Sequence, residues 1–126
     1  MKIRVYYEDT DLGGVVYYAN YLKFCERARS ELFFQNGMLP VKDGCHFVVV
    51  HIDASFKKSA KFADILEVKT KILEIRKVFV KLRQTIYKDE GVVFEMDVKL
   101  AFICNEKPSP IPKEFLDLFQ NFSQEF

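Results

Sequence analysis

Three carboxylates stand close together near the start of the chain: Glu8, Asp9 and Asp11. They precede a glycine pair, Gly13-Gly14, and an uncharged run that leads into a helical pattern from Asn20. Free N–H groups at the start of a helix stabilise an anion beside them. Paired glycines let the backbone turn tightly and come close to another group. Aspartate ordinarily titrates near about 3.9, so at neutral pH it is available as a base or a nucleophile. An aspartate that merely caps a turn has the same setting, and composition leaves both readings open.

The elements that must position these groups follow from periodicity. Residues 1–8 alternate, with Ile3, Val5 and Tyr7 on one face, and predict a half-buried strand. From Asn20, a plausible cap, Tyr21, Phe24, Cys25, Ala28 and Leu32 form one stripe of a long helix that Asn36-Gly37 stops. Residues 45–58, 66–75, 78–87 and 92–104 read as strands joined by short connections, which makes neighbours antiparallel. The expected architecture is one α+β domain over 1–126, a sheet of about five strands with the helix on its apolar face. After Pro108-Ser109-Pro110-Ile111-Pro112, the spacing of Phe115, Leu118, Phe119, Phe122 and Phe126 predicts a second helix, packed on the body or on another subunit.

Composition excludes several functions. With 19 Lys+Arg against 18 Asp+Glu there is no basic stripe for nucleic acid. No apolar run approaches the ~20 residues of a membrane span, and no signal peptide is visible, so the chain reads as cytoplasmic. Cys25, Cys45 and Cys104 cannot pair evenly and lack metal spacing, and His46 and His51 supply too few further ligands for zinc. Free thiols and no metal are expected.

Tyr7-Glu8-Asp9-Thr10-Asp11, Gly13-Gly14-Val15-Val16-Tyr17, Asn20-Tyr21-Leu22 and Glu26-Arg27-Ala28-Arg29 together resemble the signature of hotdog-fold acyl-CoA thioesterases, closest to the YbgC type within the 4-hydroxybenzoyl-CoA thioesterase family. The match is nearly continuous over 4–31; a weaker one runs through 56–64, where Ser59 replaces a frequent proline. The resemblance implies an antiparallel sheet wrapped around a long central helix, in homodimers that pair sheets edge to edge or in homotetramers.

It also assigns roles. The second aspartate of the motif, Asp11, is the implied nucleophile or general base, and the backbone N–H at Tyr18 the implied donor to the thioester oxygen. The closest subgroup usually has histidine at position 18; the aryl-CoA branch has tyrosine. Tyr7 lines the acyl pocket, bonds the carboxylate or simply packs; Val16 and Asn20 lie beside the site, Asn20 as loop orienter or cap. Glu26 reads as a salt-bridged structural residue. Coenzyme A, part of the substrate rather than a cofactor, brings phosphates that Lys57, Lys58 and Lys61, next to Ser59, or else Arg76 and Lys77 would meet. The expected reaction is hydrolysis of an acyl-CoA, aliphatic by the nearest resemblance, or of an acyl chain on an acyl carrier protein. A hotdog dehydratase needs a histidine near the helix start, and none is there. The alternative is a non-catalytic acyl-thioester or carrier-protein binder of the same fold.

Overall fold

The helical stripe and the four alternating stretches each form the element their periodicity predicts. The computed structural model describes residues 1–122. Helix α1 (Asn20–Phe34) buries Tyr21, Phe24, Cys25, Ala28 and Leu32, the whole expected stripe. It lies on one face of an antiparallel sheet whose long strands are β3 (Cys45–Phe56), β4 (Ile65–Ile75), β5 (Phe79–Lys88) and β6 (Gly91–Cys104). β1 (Lys2–Arg4), β2 (Val41–Lys42) and β7 (Lys107–Pro108) complete it. The order is β1-β4-β5-β6-β3-β2, with β7 also on β6. Among the described residues there are seven strands rather than about five, because β2 and β7 are two-residue pairings too short to show alternation.

Leu66, Val68, Val80, Leu82, Phe94, Met96 and Val98 project from the sheet onto the helix and are almost fully buried. Register shifts at Val49/His51, Ile72/Glu74 and Ile86/Tyr87 interrupt the ladders. Such bulges bend strands and increase their twist, which suits a sheet curling round a helix. Helix α2 (Lys113–Asn121) buries Phe115, Leu118 and Phe119 on the body of the same chain. Phe115 and Phe119 meet Phe33 edge-on at centroid distances of 5.3 and 5.8 Å. The expected contribution of Phe126 lies outside the described residues.

Two expectations need correction. The strand over 1–8 ends at Arg4, because Asp9 accepts the Tyr6 N–H at 2.8 Å and folds Tyr7–Asp9 into one 3₁₀ turn. The cysteines are not all free. Cys45 and Cys104 face each other across β3 and β6, with Cα atoms 4.6 Å apart, and form a disulfide. Their separation of 59 residues hides this pairing until the register is known. Cys25 alone is a free, buried thiol, as expected.

Candidate active site

The chain between the 3₁₀ turn and α1 folds back on itself. Thr10 pairs with Val16, Asp11 N–H donates to Val15 O at 2.9 Å, and Gly14 N–H donates to Asp11 O at 3.0 Å. The glycines are there for different reasons. A Cβ on Gly13 would sit 3.2 Å from Asp11 Oδ1, and Gly14 has φ +78°, where side chains are strained. The bare Gly13 N–H donates to Asp11 Oδ1 at 2.8 Å. One carboxylate oxygen is thereby oriented, and Oδ2 has no partner among the described residues.

The turn is clamped to the helix start. Asp9 O accepts both Tyr17 N–H and Asn20 Nδ2–H at 2.9 Å. Val16 N–H donates to Ala60 O at 2.8 Å, and the Ala60 N–H donates to the Tyr21 hydroxyl at 3.1 Å. Asn20 is therefore not the cap; Ala19 occupies that position, and the Asn20 side chain ties the loop instead. Just before α1, the Tyr18 and Ala19 N–H groups donate to no acceptor among the described residues. They join the open donors of the first helical turn. Around them Tyr17, Tyr18 and Phe56 form an exposed aromatic patch, with Tyr18 4.9 Å from Tyr17 and 6.0 Å from Phe56 between centroids.

The expected site residues divide. Tyr18 and Asn20 stand at the helix start, and Asp11 lies in the turn that the Asp9 carbonyl ties to Tyr17 and Asn20. Lys57, Lys58 and Ser59 lie exposed in the segment that Ala60 and Lys61 dock beside that turn. Lys57 and Lys58 have no ion-pair partner among the described residues. Asp64 instead pairs with Lys88 at 3.1 Å; burial pushes its carboxyl up, but the Lys61 N–H and Lys88 more than reverse this, leaving it below the ordinary range. Val16 is a core side chain. Tyr7 is 82% exposed on the 3₁₀ turn and makes no hydrogen bond to Asp11. Arg76 and Lys77 follow the other end of β4, ten residues or about 33 Å along the strand, so one chain does not bring them to Asp11. Sequence reading missed Ala19 N–H and the aromatic wall; Phe56 is too distant in sequence from Tyr18 to signal its place. Cys25 is no rival nucleophile, since burial pushes its thiol up to about 12.

A curled antiparallel sheet around one helix, with an oriented carboxylate and open N–H groups at the helix start, defines the hotdog class, and comparison with known proteins narrows it. The model of the thioesterase-like superfamily matches residues 5–119. The acyl-CoA thioesterase YbgC of Helicobacter pylori is 46% identical over 129 residues, covering 94% of this chain and 97% of that one. The acyl-CoA thioester hydrolase YbgC of Escherichia coli is 33% identical, covering 94% and 92%. A crystal structure of a mutant 4-hydroxybenzoyl CoA thioesterase complexed with 4-hydroxybenzoyl CoA superposes with a TM-score of 0.84 at 25% identity, covering 94% and 95%. The chain belongs to the thioesterase-like superfamily, in its YbgC-like branch, and is a thioester hydrolase.

Proposed function

We propose that the chain hydrolyses acyl-CoA thioesters to free acid and CoA at the start of α1, with Asp11 as the reacting carboxylate. The observation that carries this is the coincidence of a half-tethered Asp11 with unused N–H groups at Tyr18 and Ala19. As the thioester carbonyl is attacked, its oxygen gains negative charge, and the Tyr18 N–H donates a hydrogen bond to it. One such donor is worth about 3 kcal/mol in the transition state. Asp11 Oδ2 attacks the carbonyl carbon, the C–S bond breaks and CoA leaves as its thiolate, and water opens the resulting mixed anhydride to free acid and the Asp11 carboxylate. Alternatively, Oδ2 takes a proton from water as the water oxygen attacks the carbonyl carbon, the C–S bond breaks, and that proton passes to the departing thiolate. Because the donor is main chain, tyrosine at position 18 leaves this polarisation intact.

Lys57 and Lys58 are the cations best placed for the CoA phosphates; the Arg76 and Lys77 pair fits only if a second subunit carries it there. The outer edge of β3 supports a homodimer. Beyond β2 it has no strand partner among the described residues, and it exposes Val49, Val50 and Phe56. Names of the relatives favour an acyl-CoA substrate, and an acyl carrier protein offers the same thioester. The test is free-thiol release from a panel of aliphatic and aryl acyl-CoAs by the native chain and Asp11→Asn. A loss of at least about 10³-fold is expected, with unchanged melting temperature; equal rates would remove Asp11 from the chemistry.

A further inference from the structure

Away from the helix start, α1 borders a cavity of about 350 Å³ against β3, β5, β6 and α2. That volume is within the range of small-molecule sites. Phe33, Phe47, Leu82, Leu100 and Phe119 make most of its wall apolar, and Arg29, His46 and Glu26 are the ionisable side chains on it. The cavity lies nine residues, about 14 Å, along the helix from Asn20.

Arg29 is unusually provided for. Its Nη1–H donates to Gln84 Oε1 at 2.9 Å, and no carboxylate lies within ion-pair distance among the described residues. Gln84 is fully buried and cannot turn away, since its Nε2 donates to Cys25 O at 2.9 Å and Thr70 Oγ1 at 3.1 Å. Glu26, one turn earlier at the rim, accepts from Ser30 Oγ at 3.0 Å instead. Desolvation pulls the guanidinium below the ordinary arginine value, while Cys25 and Glu26 oppose this. A guanidinium has five N–H donors, and the protein uses one. A half-buried cation held by a neutral amide at an apolar wall is an incomplete pair.

We infer that this cavity binds a monocarboxylate with an apolar tail, the carboxylate on Arg29 and the tail among the phenylalanines and leucines. The planar fork of arginine matches a carboxylate with two parallel hydrogen bonds. A phosphate would bring excess negative charge to a single cation with Glu26 nearby. Such a carboxylate has two sources: a free acid of the kind thioester hydrolysis releases, or the far carboxyl of an acyl group still on its thiol. Binding itself does not depend on the proposed role of Asp11.

The experiment uses octanoate and octanol as probes on the full chain, followed by amide chemical shifts and calorimetry. Octanoate is expected to bind native protein and Asp11→Asn alike, shifting Arg29, Leu82 and Leu100, with octanol at least about tenfold weaker. Arg29→Met should weaken octanoate at least tenfold and leave octanol unchanged. Ser30→Trp, a rim substitution that blocks the cavity and spares the Arg29–Gln84 pair, should abolish both and keeps the test open if Arg29→Met fails to fold. Equal affinity for octanoate and octanol, shifts confined to residues 11–20, or octanoate binding retained in Ser30→Trp would each overturn the inference. The source is then read from turnover: a raised KM for dodecanedioyl-CoA but not dodecanoyl-CoA in Arg29→Met identifies the far carboxyl, and a raised inhibition constant for octanoate alone identifies the free acid.

Discussion

The two halves of α1 handle polar groups in opposite ways. At its start, the Tyr18 and Ala19 N–H groups and one Asp11 oxygen are left open among the described residues, and the contacts that orient Asp11 and tie its turn to Asn20 are local: Gly13 to Asp11, Asn20 to Asp9. Further along, the Cys25 carbonyl and one N–H of Arg29 are met by Gln84, 59 and 55 residues away. An open end can pair transiently with charge that develops in a reaction. A closed end orders the interior and holds one cation in place. The difference suits one end of the helix to a charge that develops in a reaction, while the other end fixes the Arg29 guanidinium at a cavity wall.

The sharpest way to break the contrast is to remove an open donor. Tyr18→Pro deletes the N–H just before the helix, where proline is tolerated. Thiol release should fall roughly 10²–10³-fold with circular dichroism unchanged. Tyr18→Phe should stay within about threefold. If Tyr18→Phe falls as far as Tyr18→Pro, the phenol and not the backbone is the reacting group.

A change at the closed end should do the reverse. The Cys45–Cys104 disulfide joins β3 to β6 beside the aromatic cluster of Phe47, Phe102, Phe115 and Phe119, which meets α1 at Phe33. Cross-linking across 59 residues restricts the unfolded chain and is worth about 2–4 kcal/mol. Cys45→Ala is expected to lower the melting temperature by roughly 8–15 °C in a calorimetric scan, while kcat at 25 °C changes less than about twofold. A kcat that falls with the melting temperature would mean that the two ends are coupled.

This contrast also explains which parts could be read from sequence. The α1 stripe has a period of 3.6 that depends on nothing outside it, and all five of its residues are buried as expected. The Asp11 turn is legible because its reasons are local: a missing Cβ at Gly13 and a positive φ at Gly14. Tyr7 was misplaced because alternation runs on in the sequence past the point where Asp9 turns the chain. Gln84 sits at an inward position of β5 that alternation identifies, yet its partners are fixed only when β4, β5 and the helix meet. The same holds for Cys45 and Cys104, which need the β3–β6 register, and for Arg76, whose distance from Asp11 is a property of the strand path.

A third region sets the baseline and carries the smallest expected effect. Arg83 on β5 and Asp97 on β6 are cross-strand partners whose side chains meet at 2.8 and 3.1 Å on the outer face of the sheet. The hydrogen bonds from Arg83 hold the Asp97 carboxyl below the ordinary aspartate range, against a small opposing effect of burial. A carboxyl whose folded value is depressed stabilises the fold fully above its unfolded value, near about 3.9. That stability is lost as pH falls through the lower folded value. The pair is partly exposed and screened, so the gain is slight. In urea unfolding, the native chain should exceed Asp97→Asn by a small constant margin from pH 7 down to about pH 4, and the two curves should converge in more acid solution. Thiol release at pH 7 should be the same for both, since Arg83 and Asp97 touch neither end of α1. A margin that grows on acidification would assign the wrong sign to the pair, and a changed rate would show that the outer face communicates with the Asp11 turn.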